Sequence, residues 1–351
     1  MQRGLSNNIQ NFELRLKLRI IMHMQKKVVV IGGGTGTMAV LSGLKKYPDL
    51  DLHVIVSMTD DGGSNQVVRD EFGLLPLSDL RKSLIALAET DNQLLRQLFT
   101  YRFEKGNGIS GHTLGNLMMV ALADITGSEV NAVEACKKLF KVNGKVIPVT
   151  LEQTRLVAEY DDGARVEGEH FIDEPEENWQ RKIRSLTLSE NVPAHSDALE
   201  SIQNADYIVA GPGDLYTSTL ANIIVGDIAQ EIQKASGKFV FINNLMTKKG
   251  QTHGMTTSDL VNEITKYSGR IPDLVLQHEG DFHEDILKKY KDRGEHPIED
   301  DIQNNPPYKV VRAHLTHDAA VEQDKGDTLV RSLIRHDAEK LADALYKIFH
   351  S

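Results

Sequence analysis

Two hydrophobic rhythms alternate along this chain. Val28-Val29-Val30-Ile31 is an unbroken apolar run, as expected of a strand covered on both faces. Glycines follow at once. Met38, Leu41 and Leu44 then recur at helical spacing within Thr37–Lys46, and Pro48-Asp49 ends that element. Leu52–Met58 predicts a second strand. The three segments form a βαβ unit, whose crossover is right-handed. Helices are predicted over Leu80–Leu87, Gln93–Phe103 and Leu114–Ile125, joined by the polar stretches Glu89–Asn92 and Asn107–Gly111. The pattern then favours strand at Val146–Thr150 and Thr154–Tyr160, and Asp161-Asp162-Gly163 reads as a hairpin turn before Ala164–Val166. This predicts a small β-rich insertion over about 146–193. The helical and strand rhythms resume with a strand at Asp206–Ala210, a helix over about Leu220–Lys234 and a strand at Lys238–Ile242. A helix follows at Ser258–Tyr267, N-capped by Thr257 or Ser258, then a strand at Leu274–Leu276 and a closing amphipathic helix over His336–Phe349. The expected class is α/β and Rossmann-like: a mostly parallel sheet, helices on both faces, and the β-rich insertion.

The composition narrows the function. With 351 residues and ordinary apolar content, the chain can build one large domain, here residues 25–351. Residues 1–24 read as an N-terminal extension, disordered or a start-site artefact, because Met22 and Met24 directly precede the first strand. A net charge of −10 argues against broad binding to nucleic acid or an anionic membrane. No apolar run approaches the ~20 residues of a membrane span. The single cysteine, Cys136, excludes an internal disulfide and a cysteine-based zinc site. These features suit a cytoplasmic protein that binds a small molecule, and they are compatible with a homo-oligomer.

The candidate chemistry sits where strands end. Gly33, Gly34, Thr35 and Gly36 lie between a strand and a helix, where free N–H groups and the positive helix end suit a phosphate. Gly34-x-Gly36-x-x-Ala39 also fits the dinucleotide pattern. Asp60 and Asp61 end the second strand, followed by Gly62, Gly63 and Ser64. Paired carboxylates there suit Mg²⁺ with its waters, or sugar hydroxyls. Ser78 or Asp79 caps the next helix, with Arg81 an ordinary helix residue; in an enzyme, Asp60, Asp61, Asp79 and Arg81 are the catalytic candidates, Arg81 as a phosphate fork. His112, Thr113 and Asn116 offer hydrogen bonds to a ligand or cap a helix. Gly211, Gly213, Asp214 and Thr217 repeat the logic of the first turn at a later strand end. Asn243, Asn244 and Thr247 follow a further strand, where amides suit a base or sugar edge. There is no Walker lysine pattern, nucleophile elbow or His-Glu-x-x-His zinc motif.

In this order, GGGTGT, SMTDDGGS, LP-x-x-DLR, GHTLGN, GPGDLYTS, NNLMTKKGQTHG and RHDAEKLADAL resemble the family that joins the bacterial gluconeogenesis factor to the 2-phospho-L-lactate transferase of coenzyme F420 synthesis. The resemblance runs from about Lys26 to Leu345 and favours the bacterial branch. In that branch it implies a UDP-sugar ligand and a regulatory role in carbon metabolism and cell shape. In the transferase branch it implies passage of a phospholactyl group from a guanosine nucleotide to a deazaflavin alcohol with Mg²⁺. Asp60 and Asp61 match the family's acidic strand-end pair, and Asp79 and Arg81 its aspartate–arginine stretch. Four places depart from the pattern: Asn65-Gln66, Leu77-Ser78, Asp214 in place of serine, and Leu260 in place of histidine. An NAD-dependent oxidoreductase would use only the first turn, so no NAD is expected.

Overall fold

A computed structural model describes residues 25–89, 93–175, 180–303, 305–317 and 333–351. The extension read at 1–24 lies outside the described residues. Seven parallel strands form the main sheet: β1 (Lys26–Gly32), β2 (Leu50–Val56), β3 (Lys145–Pro148), β7 (Tyr207–Ala210), β8 (Lys238–Ile242), β9 (Leu274–His278) and β10 (Lys309–Ala313). Their order is β10-β9-β8-β7-β1-β2-β3. The chain therefore builds outward from β1 in one direction, returns to β1 through β7, and builds outward in the other. With right-handed crossovers, the reversal places helices on both faces. Helices 34–44, 78–87 and 338–349 pack together on one side, and helices 196–203, 228–234 and 257–268 on the other. Val28, Val29, Val30 and Ile31 are fully buried, as their continuous apolar run requires.

The expected β-rich stretch divides in two. Lys145–Pro148 pairs in parallel with β2, so it is the edge of the main sheet rather than the start of an insertion. The separate antiparallel sheet holds β4 (Leu156–Tyr160), β5 (Arg165–Glu167) and β6 (Ile183–Leu188), in the order β5-β4-β6. A short run such as Val146-Ile147-Pro148 carries no signal of which sheet it joins; only its partner strand decides.

Helix bounds shift by up to three residues at several ends, and in two helices the local reason is plain. The helix expected over 220–234 is a π-helical turn at Leu215–Leu220, a short turn at Ala221–Ile223 and a separate helix at Ile228–Lys234. Gly226 breaks it. Its φ is +46°, and a Cβ there would lie 2.4 Å from the backbone nitrogen of Ala194. The helix at Thr257–Ser268 is capped one residue before the expected candidates: Thr256 and Asp259 form a reciprocal capping box. No helix among the described residues is long and apolar enough to cross a membrane.

Candidate nucleotide site

Strand β1 has β2 on one side and β7 on the other, which makes their C-terminal ends the switch point of the sheet. Ligands of open α/β sheets bind in this crevice. Both glycine turns lie there. Gly33, in extended conformation, precedes the helix Gly34–Leu44 and gives it no side-chain cap. The first N–H groups of that helix thus have no intrahelical partner. Thr35 is exposed at the same end. The second turn abuts the first: a Cβ on Gly36 would lie 2.3 Å from the carbonyl oxygen of Pro212, and one on Gly213 would lie 3.4 Å from that of Gly33. Buried Asn222 ties the turns together, its Nδ2 donating to the carbonyls of Gly32 at 3.4 Å and Ser218 at 2.7 Å. Asn244 adds a bond from Nδ2 to the carbonyl of Gly213 at 2.7 Å.

The acidic residues form one wall. Asp60 accepts from the Gly62 N–H at 3.0 Å and from Asn65 Nδ2 at 2.6 Å. Ser78 Oγ donates to Asn65 Oδ1 at 2.9 Å. Two of the departures from the family pattern, Asn65 and Ser78, thus support each other and Asp60. Asp79 pairs with Lys82 at 2.8 Å, and its other oxygen faces Gly33, where a Cβ would lie 2.3 Å away. Burial, and then the charge of Asp79, push the Asp60 carboxyl up to about 6. Gly62 precedes the helix Gly63–Phe72, whose first turn holds Gly63 and Ser64; the side-chain surroundings of those two lie outside the described residues.

The insertion completes this wall. Its short helix Glu169–Asp173 sends the His170 N–H to Asp61 Oδ1 at 3.0 Å. Burial raises the Glu169 carboxyl well above its ordinary range, and the charges of Asp60, Asp173, Asp61 and Asp79 add to this. Asp173 Oδ1 accepts from Thr217 Oγ1 at 3.1 Å and from Gln251 Nε2 at 2.8 Å. Lys248 Nζ lies 3.2 Å from Asp173 and 3.3 Å from Asp214.

Other expected site residues are engaged within the protein. Arg81 is buried; its Nε donates to Asn116 Oδ1 at 2.9 Å and its Nη1 to the carbonyl of Phe99 at 3.4 Å. Thr113 caps the helix Leu114–Thr126 by accepting from the Asn116 N–H, and His112 is buried beside it. Asn243 is fully buried, donating to Thr257 Oγ1 at 3.0 Å and Gln277 Oε1 at 2.6 Å. Thr247 exchanges two bonds with the backbone of His296. The crevice therefore gathers Gly33–Gly36, Asp60, Asp61, Asp79, Gly211–Asp214, Thr217 and Asn244. Arg81, His112, Thr113 and Asn116 form a buried brace, and Asn243 and Thr247 anchor the loop after β8.

Glu169, Asp173, Asn222, Lys248 and Gln251 are the site residues that sequence reasoning missed. Lys248 and Gln251 lay within the NNLMTKKGQTHG segment. Glu169 and Asp173 carried no local signal, since they arrive on the short helix of the insertion, between β5 and β6.

Among the described residues no three His, Cys, Asp or Glu side chains converge closely enough to hold a metal ion alone. Mg²⁺ asks for less: one or two carboxylates, with phosphate and water supplying the rest. Asp60 and Asp79, near enough for one charge to raise the other's pKa, fit that demand, with Asp61 adjacent in sequence. A separate cavity of about 200 Å³ opens beyond β9 and β10, lined by Phe282, His283, His314 and Arg335 among others.

Residues 28–316 match the family model described as 2-phospho-L-lactate transferase CofD. The gluconeogenesis factor of Bacillus subtilis is 36% identical, over 92% of this chain and 98% of its own. The putative gluconeogenesis factor of Thermotoga maritima is 37% identical, over 92% and 99%. A crystal structure of a Bacillus halodurans protein superimposes with a TM-score of 0.83 at 36% identity, covering 92% of this chain and 99% of that one. A chain matched over its whole Rossmann-like core, with the ordered strand-end motifs gathered at one switch point, belongs to the CofD family, in the branch that holds the gluconeogenesis factors.

Proposed function

We propose that the crevice binds a nucleoside diphosphate compound and passes its phosphoryl-linked group to an acceptor alcohol, the type of reaction in the family's description. The observation that carries this reading is the contact between the two glycine turns, directly beside the Asp60–Asp79 wall. The N–H groups opening the helix Gly34–Leu44 would hold phosphate oxygens. Asp61, with Oδ1 fixed by the His170 N–H, would orient the acceptor hydroxyl through Oδ2. The acceptor oxygen would form the new P–O bond as the P–O bond to the departing nucleotide breaks, and the hydroxyl proton would pass to a carboxylate of the wall. Asp60 and Asp79, with Asp61, are the residues that would hold Mg²⁺, which when bound would offset negative charge on the phosphates.

A second reading is a UDP-sugar-binding regulator of carbon metabolism and cell shape, without turnover. The chain's relatives, known as gluconeogenesis factors, support the carbon-metabolism part of this reading. Thermal shift with GDP, UDP-GlcNAc and NAD, each with and without Mg²⁺, separates the readings, because a ligand of the folded state raises the Tm. A GDP shift that needs Mg²⁺ and vanishes in Asp60→Asn supports the transferase. Tight UDP-GlcNAc binding without turnover supports the regulator, and a shift with NAD alone sinks both.

A further inference from the structure

A phosphate entering the crevice meets the carboxylates of Asp60, Asp61, Asp79, Glu169, Asp173 and Asp214. Beside any Mg²⁺ held at Asp60 and Asp79, a protein cation within its reach would offset this repulsion. Arg81 is buried against Asn116 and the carbonyl of Phe99, and Lys82 pairs within its own helix, with Asp79 of the acidic wall. Lys248 is placed differently. Its Nζ bridges Asp173 of the insertion and Asp214 at the tip of the second glycine turn, at 3.2 and 3.3 Å. Its side chain keeps 30% of its surface exposed, so a ligand can reach it.

The junction around it is built from three parts of the chain. Asp173 accepts from Thr217 after β7, from Gln251 and from Lys248 after β8, and it sits on the insertion helix that is tied to Asp61. Burial works against the charge on Lys248, but Asp214 and Asp173 together hold its pKa above the ordinary lysine value. Asp214 is the yielding partner. Burial first, and the neighbouring Asp173 charge, raise it to about 6 despite Lys248, so it takes up a proton readily beside an arriving phosphate.

We infer that Lys248 is the phosphate-binding cation of the crevice and that Asp173, delivered by the insertion, is its positioning residue; the inference rests on the nucleotide reading above. The ligand class is a nucleoside diphosphate or its esters. The insertion then acts as part of the binding site, because it supplies the acceptor that aims the ammonium.

Calorimetry on the full chain tests this with GDP and UDP as probes, and guanosine and uridine as phosphate-free controls. Lys248→Met is expected to weaken diphosphate binding about tenfold or more, the usual scale of a lost charge-assisted bond, and to leave nucleoside binding unchanged. Lys248→Arg retains most of the affinity. Asp173→Asn, which keeps an acceptor for Thr217 and Gln251, weakens diphosphate binding several-fold. The double variant binds no more weakly than Lys248→Met alone, since Asp173 acts through the lysine. A merely structural Asp173 would instead give additive losses and reduce nucleoside binding as well, which overturns its role. Diphosphate binding by Lys248→Met within twofold of wild type overturns the inference alone. Failure of the wild type to bind any of the diphosphates overturns the nucleotide reading, and this inference with it.

Discussion

Gly36→Ala adds one methyl group at the contact between the two turns. Its Cβ would lie 2.3 Å from the Pro212 carbonyl oxygen, 2.7 Å from the Pro212 carbonyl carbon and 3.2 Å from the Gly213 nitrogen. Ordinary contact begins at 3.4 Å, so the turns must part by about 3.4 − 2.3 = 1.1 Å. All three obstacles are backbone, and no side-chain rotation relieves them. Overpacking of this kind costs about 1–3 kcal/mol of stability, and misplacing binding groups by ~1 Å costs on the order of 100-fold in rate or affinity. Gly34→Ala is the control. Gly34 has φ +67° and only Ser218 Oγ near its Cβ position, at 4.0 Å. That substitution carries backbone strain of about 1–2 kcal/mol without pushing the turns apart. Urea unfolding and calorimetry with GDP and UDP-GlcNAc should therefore show both variants destabilised, and Gly36→Ala the more strongly impaired in binding. Normal binding by Gly36→Ala, or equal impairment in both, would refute phosphate binding between the two glycine turns.

Asp60 and Asp214 have folded pKa values raised to about 6 from an ordinary 3.8, so both favour the protonated form in the folded state. Their contribution to stability is fully present below about 3.8 and is lost as pH rises through 6; any Tm gain from Mg²⁺ with GDP should be larger at pH 7.5 than at pH 5, and a gain independent of pH would count against Asp60 as a metal holder. His278 and His336 are held down to about 4 and about 3 by burial first. Their contribution is present above 6.5 and lost as pH falls toward those values, so His336→Gln should flatten the acid limb of a Tm–pH profile. Gly43→Val should lower stability by about 2 kcal/mol or more with GDP and UDP-GlcNAc binding unchanged, because its Cβ would lie 2.1 Å from the Ala338 carbonyl of the closing helix. Thr256→Ala should cost about 1 kcal/mol in urea unfolding by removing the capping box.

Local pattern carried most of the fold. The β1 run announced a strand buried on both faces, and the spacing of Met38, Leu41 and Leu44 announced its following helix. The structure bears out both, along with the hairpin turn Asp161-Asp162-Gly163 between β4 and β5. Helix ends were less legible. The break at Gly226 depends on an approach to Ala194, and a lone glycine in an apolar run does not disclose what it will meet.

What the sequence determined by itself was the type of the elements that carry a clear hydrophobic rhythm, the glycine turns at strand ends, and the family. These follow from short-range rules: periodicity, backbone freedom, and ordered motifs. Tertiary structure alone decided which ends meet. The strand order puts Gly33–Gly36 against Gly211–Gly213, moves Lys145–Pro148 into the main sheet, and brings Asp173 from the insertion onto Thr217, Gln251 and Lys248. The physical reason is that side-chain chemistry is written residue by residue, whereas a distance of 3.2 Å between residues 75 positions apart exists only once the whole sheet has closed.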